Sequence, residues 1–180
     1  VIGMAGILDS SRFIYFLSER LKVSVNNIKS FVLGGHGDTM VAMLNHTTIN
    51  GEPIKNLVKS KKLSQEELDN IIIRTQKGGA EIVKYLEKGS AFYAPATAGV
   101  QMAESYLKDE KKELPCAAYL NGEYGVKNIY AGVPVIIGKN GVEKIVEIKL
   151  SLEEKSKFDK SIEAVRDLFE AAKKIDTLLG

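Results

Sequence analysis

Apolar residues recur at helical spacing over roughly residues 5 to 22, where Phe13, Ile14, Phe16, Leu17 and Leu21 share a broad face and Ser18, Glu19, Arg20 and Lys22 lie largely off it. The pattern then shortens. Lys29 to Leu33 reads as a buried strand ending at Gly34-Gly35, and Thr39 to Ile49 reads as another strand. Asn50-Gly51 favours positive φ and predicts a hairpin turn. In Ser64-Gln65-Glu66-Glu67 a hydroxyl and a carboxylate stand at capping-box spacing. Behind them Leu68, Ile71, Ile72, Thr75, Ile82, Val83 and Leu86 continue one helical face. Gly78-Gly79 interrupts it; each glycine costs about 1 kcal/mol against alanine, so a kink or a close approach is expected there. A further helix is predicted from about Pro95 to Leu107, with proline near its first turn.

From Cys116 to Leu150 the pattern is that of strands. Pro134 to Ile137 and Ile145 to Ile148 flank the turn dipeptide Asn140-Gly141, and Asn121-Gly122 marks another turn. Ser151 and Glu154 form a second capping box, opening a last helix on which Phe158, Ile162, Val165, Phe169 and Ala172 make a core or interface stripe. The order is helix, strands, helices, strands, helix. This predicts an α+β fold, antiparallel strands packed with long helices, as a single domain over residues 1–180 rather than alternating β-α-β units.

Composition narrows the field. A net charge of +2, with the Lys pairs at 61–62, 111–112 and 173–174 beside acids, gives no basis for a nucleic-acid partner. No apolar stretch approaches the ~20 residues that span a bilayer, and no signal peptide is visible, so the expectation is a cytoplasmic protein without membrane contact. The lone Cys116, in a small apolar run, reads as a packing residue.

Two histidines limit the candidate chemistry. His36 sits in Gly34-Gly35-His36-Gly37-Asp38, where glycines let the backbone bend and leave the ring approachable. The local sequence alone leans slightly towards a plain turn with a hydrogen-bonded histidine. His46, within the second predicted strand, reads as a surface residue. Asp9 and Arg12 share a helix face: they could form a surface ion pair, or Asp9 could face an imidazole while Arg12 faces an anion. There is no Gly-x-Ser-x-Gly, which weakens a hydrolase built on Ser10 or Ser11 with His36, and no P-loop. A metal site lacks ligands. Gly-x-Gly-x-x-Gly is absent, so any dinucleotide fingerprint lies outside these residues.

Six stretches together resemble the lactate/malate dehydrogenase family. They are Val1-Ile2-Gly3-Met4-Ala5-Gly6, Leu8-Asp9-Ser10-Ser11-Arg12-Phe13, Val32 to Asp38, Gly89-Ser90-Ala91-Phe92-Tyr93-Ala94-Pro95-Ala96, Gly122-Glu123-Tyr124-Gly125 and Gly132-Val133-Pro134. They come in the family's order, at compatible spacing, over essentially the whole chain. The resemblance implies the family's C-terminal, substrate-binding half, with the NAD-carrying Rossmann half lying before Val1. Gly-Gly-His-Gly-Asp and Tyr-Ala-Pro-Ala point to the malate branch, a lactate enzyme more typically reading Gly-Glu-His-Gly-Asp. By resemblance His36 is the acid/base and Asp9 its orienting carboxylate. Arg12 clamps the substrate carboxylate. Gly79, Ser90 and Ala91 line the substrate pocket, and Pro95 approaches the cofactor. The implied cofactor is NAD, the implied substrates malate and oxaloacetate, the implied assembly a homodimer or homotetramer. Residues from the other half that separate malate from lactate are not in this chain, so isolated it is expected to be nearly inert. A lactate dehydrogenase domain, a non-catalytic assembly module and a small-anion binder are the competing readings.

Overall fold

The computed structural model describes residues 1–176 and Leu178. The first helix, α1, runs Ala5–Leu21 and buries Phe13, Phe16 and Leu17, as the apolar spacing predicts. Two short strands follow, β1 (Ile28–Lys29) and β2 (Val32–Gly34), then β3 (Met40–Ala42), β4 (Thr48–Ile49) and β5 (Glu52–Pro53). The single strands expected over Lys29–Leu33 and Thr39–Ile49 are therefore each broken in two. The cause is long-range. Ser30 turns its hydroxyl to that of Thr47 at 2.7 Å. Leu44–His46 winds into a 3-10 turn whose Asn45 donates through its backbone N–H and Nδ2 to Glu154 at 3.1 and 2.6 Å. His46, expected on a strand with no partner, instead lies in that turn and donates from Nε2 to the Lys149 carbonyl at 3.1 Å. The Asn50-Gly51 hairpin forms as expected, with φ of 51° and 80° joining β4 to β5.

Next come α2 (Ile54–Lys59), α3 (Gln65–Gln76), α4 (Gly78–Leu86) and α5 (Tyr93–Leu107). Both bonds of the Ser64–Glu67 capping box open α3. The helix breaks at Lys77, and this turns α4 away from the core. Leu68, Ile71 and Thr75 are buried on α3, but Val83 and Leu86 of α4 are exposed, so the single face expected through Leu86 does not continue. Then β6 (Lys112–Asn121), β7 (Lys127–Gly138) and β8 (Gly141–Ile145) form the largest hairpins, and α6 (Leu152–Ile175) opens on the expected Ser151–Glu154 box. Residues 146–150 carry no strand, so the predicted strand through Ile148 ends early.

One sheet has the order β1-β4-β5; the other is β3-β2-β7-β6, with β8 also paired to β7. All pairings are antiparallel, as an α+β fold requires. The main core lies on the larger sheet, where Leu33, Cys116, Val133 and Ile137 meet Phe158 and Ile162 of α6. Burial pushes the Cys116 thiol up to about 12, which fits a packing residue and not a nucleophile. A second cluster joins Phe13 and Leu17 of α1 to Ile54, Leu63 and Leu68. Thus α1 is buried on two sides. Its first turns and the end of β2 are rigid supports for whatever side chains they carry.

Candidate active site

Asp9 lies in the second turn of α1, on the face covered by the loop after β2. Its side chain is 1% exposed. A carboxylate so buried needs partners, and it has three. His36 Nδ1 is 2.8 Å from Oδ2, the Gly37 backbone N–H donates to the same oxygen at 3.0 Å, and Arg12 Nη1 reaches Oδ1 at 3.5 Å. Since a carboxylate can only accept, Nδ1 carries the proton, and Nε2 has no partner among the described residues. The imidazole remains 53% exposed. The hydrogen bond that His36 donates to Asp9 raises the His36 pKa above its ordinary 6.5; burial and the Arg12 charge oppose this without cancelling it.

Arg12 follows Asp9 by one helical turn and is 10% exposed. Among the described residues only its Nη1 has a protein partner, which leaves the other guanidinium nitrogens to bind an anion. Its stem is covered by Gly78, the first residue of α4. A Cβ built on Gly78 would lie 3.0 Å from Arg12 Cδ and 3.3 Å from Nε. The glycine pair that interrupts the predicted helix is thus where α4 crosses Arg12, with a Gly79 Cβ 3.9 Å from Nη1.

The site therefore joins His36, Asp9, Arg12 and Gly79 from three elements. No hydrogen bond or ion pair among the described residues links Ser90, Ala91 or Pro95 to them. Ser90 is exposed, and Ala91 and Pro95 are partly buried, before and in the first turn of α5. Ser10 and Ser11 are excluded as nucleophiles acting with His36. The Ser10 hydroxyl bonds Gly6 O and the Val32 amide, and that of Ser11 bonds Ile7 O. Sequence reasoning marked Gly78 as a close approach without naming Arg12 as what it meets, and missed Ser161 of α6, which bonds the Gly35 amide at 2.8 Å. The only signal for Ser161 was a small polar residue beside Ile162 on the core stripe of a helix. Among the described residues no group of three potential ligands could hold a metal ion, and no helix is long and apolar enough to cross a membrane.

The structure brings a buried carboxylate, Asp9, against the exposed ring of His36, with Arg12 one turn further along α1. The family model described as lactate/malate dehydrogenase, alpha/beta C-terminal domain, matches residues 7–175. The chain belongs to the lactate/malate dehydrogenase family. It is 66% identical over 176 residues to a malate dehydrogenase of Pelagibacter ubique (strain HTCC1062), covering 98% of this chain and 55% of the relative. Its fold matches a Cryptosporidium parvum malate dehydrogenase with a TM-score of 0.93 at 46% identity, over 97% of this chain and 55% of that one. An Eimeria maxima lactate dehydrogenase solved with NADH and oxamate also matches with a TM-score of 0.93, at 42% identity over 98% of this chain and 54% of that one. The chain thus spans about half the length of the relatives it matches.

Proposed function

We propose that this chain is the substrate-side half of an NAD-dependent malate dehydrogenase, a cytoplasmic homo-oligomer catalysing the malate–oxaloacetate step of the tricarboxylic acid cycle. The observation that carries the reading is the Asp9–His36 pair at 2.8 Å, with Arg12 one helical turn from Asp9 and bonded to its other carboxylate oxygen. The 66% identity to a malate dehydrogenase favours malate over lactate.

In this reading His36 Nε2 accepts the proton of the malate hydroxyl as the carbinol carbon is oxidised, and returns it in the reverse direction. Asp9 holds the tautomer and stabilises the imidazolium without itself taking the proton. The guanidinium of Arg12 grips the substrate carboxylate with two parallel hydrogen bonds and fixes the reacting carbon. Gly79, Ser90 and Ala91 wall the substrate pocket. The chain has no glycine-rich phosphate cradle, so the phosphates of the dinucleotide belong to a Rossmann half elsewhere in the longer protein. The uncharged Ala91 and Pro95 suit contact with a flat ring, and Pro95 would meet the nicotinamide end of NAD. When bound, NAD supplies the hydride acceptor. Assembly is favoured by α5, whose Val100, Tyr106 and Leu107 are exposed.

The test extends the chain to its relatives' full length and follows NADH absorbance with oxaloacetate and with pyruvate, His36→Asn beside the unmodified protein. Turnover with oxaloacetate far above that with pyruvate, lost in the variant, is expected. Faster turnover with pyruvate would assign the lactate reaction. A folded, inactive protein would leave assembly as the function.

A further inference from the structure

We propose that Ser161, on the last helix, is a positioning residue for His36, gripping the histidine loop on both sides of the imidazole. Its hydroxyl accepts a hydrogen bond from the Gly35 amide at 2.8 Å and donates to the Thr39 carbonyl at 2.5 Å. One buried hydroxyl thereby fixes the residue before His36 and the residue three after it. Ser161 is 4% exposed, so water does not compete for these bonds.

Gly34 shows how closely the two parts meet. It has φ of +86°, and a Cβ there would lie 2.9 Å from the Ser161 Cβ. The left-handed backbone and the missing side chain let α6 reach the loop. One turn further along α6, Val165 covers Gly35, a Cβ on which would come 3.1 Å from Val165 Cγ2. From the opposite side, Asp9 of α1 holds the His36 ring and the Gly37 amide. The loop is thus bracketed, with residues 35 and 39 tied to α6 and residues 36 and 37 tied to α1. Releasing the α6 bonds frees the Gly35 peptide to rotate, and the ring then loses its alignment with Asp9.

This arrangement separates geometry from charge. The charges acting on His36 are Asp9 and Arg12, both on α1. Where α6 borders the cavity of His36 it contributes Val165 and Leu168; its Lys157 and Lys160 border the neighbouring groove at Asp38 and Thr39. Ser161→Ala removes no charge, so a change in His36 titration reports a change in its alignment.

The proposal rests on reading His36 as the proton carrier, but its test does not depend on turnover. The measurement is the NMR titration of the His36 ring in this chain, in Ser161→Ala, Ser161→Thr and Ser105→Ala. Ser105 is the matched control: fully buried, it likewise bridges a carbonyl and an amide, Ile137 O at 2.6 Å and Lys112 N at 3.2 Å, away from His36. The His36 midpoint is expected to fall towards 6.5 in Ser161→Ala, to stay in place in Ser105→Ala, and to recover in Ser161→Thr. A shift in Ser161→Ala no larger than in Ser105→Ala overturns the proposal. Should Ser161→Ala fail to fold, hydrogen exchange decides in the unmodified chain: the Gly35 amide is expected to be protected, and exchange at an unprotected rate overturns the proposal. In the full-length protein Ser161→Ala is expected to lower kcat about ten- to a hundredfold with KM nearly unchanged. If His36→Asn leaves turnover intact, the catalytic reading fails while the titration result stands.

Discussion

Two walls enclose Arg12, and they are held in different ways. On one side, α1, α6 and the His36 loop are joined by buried and part-buried hydrogen bonds between segments far apart in sequence: Asp9 to His36 and Gly37, Ser10 to Val32, and Ser161 to Gly35 and Thr39. On the other side, the α4–α5 segment meets the site through Gly78 and Gly79, which offer van der Waals contact and no side-chain bond. Behind Gly78 it is tied down by an exposed cluster, in which Arg74 pairs with Glu81 at 2.9 Å and Glu19 at 3.1 Å while lying over the Phe16 ring. Much of its apolar surface is open, including Tyr85, Phe92 and Tyr93. Proton transfer needs fixed angles between donor and acceptor, and buried hydrogen bonds provide them. A pocket wall needs only shape, and glycine against an aliphatic stem provides that.

If this contrast is right, the largest effects lie on the hydrogen-bonded wall. In the full-length protein Asp9→Asn is expected to reduce turnover by about 10²- to 10⁴-fold, because the amide no longer specifies the tautomer or stabilises the imidazolium. His36 titration sharpens the point. With the Asp9 contribution gone, burial and Arg12 still lower the pKa, so the midpoint should drop below 6.5. A midpoint that stays high would mean that Asp9 is not what raises it.

Gly78→Ala probes the opposite wall. Its new Cβ presses on Arg12, so KM for oxaloacetate should rise about tenfold while kcat changes little. The fold itself should change little, since the new Cβ meets the aliphatic stem of a side chain that can shift by a few tenths of an ångström. A collapse in kcat with KM unchanged would show that this wall also serves the chemistry.

The pH dependence follows from the sign of the His36 shift. The folded pKa lies above the ordinary 6.5, so the Asp9–His36 pair stabilises the fold fully below 6.5, and that contribution is lost as pH rises through the folded midpoint. In the proposed reaction oxaloacetate reduction needs protonated His36, so in the full-length protein it should decline over the same window, while malate oxidation should rise. Rate profiles whose midpoint fails to match the NMR titration would remove His36 from the proton-transfer step.

The smallest effect is expected at the exposed cluster. Glu81→Gln should cost about 0.5 kcal/mol, the usual scale for an exposed ion pair, with KM little affected. A loss several times larger would mean that the α4 wall depends on this cluster more than on packing at Gly78.

Local patterns were legible wherever the cause was local. Both capping boxes, the Asn50-Gly51 hairpin and the α1 face are set by residues within a turn or two of each other. The strand expected over Thr39–Ile49 was misread because Asn45 and His46 find their partners more than a hundred residues away, at Glu154 and Lys149. Those bonds coil a segment whose own pattern is extended. The α3 face was read too far because hydrophobic spacing cannot show the direction a helix takes after a break at Lys77.

By itself, then, the sequence determined the α+β order, the two capping-box helix starts, and the presence of His36, Asp9 and Arg12 in motifs that resemble one family. Tertiary structure decided that Asp9 meets His36 across 27 residues, that α4 crosses Arg12 at Gly78, and that Ser161 closes on Gly35 from 126 residues away. The reason is physical. Spacing along the chain fixes which side chains share a face of one element. The partner of a buried polar group is fixed by whichever element packs over it, and only a folded core brings that element there.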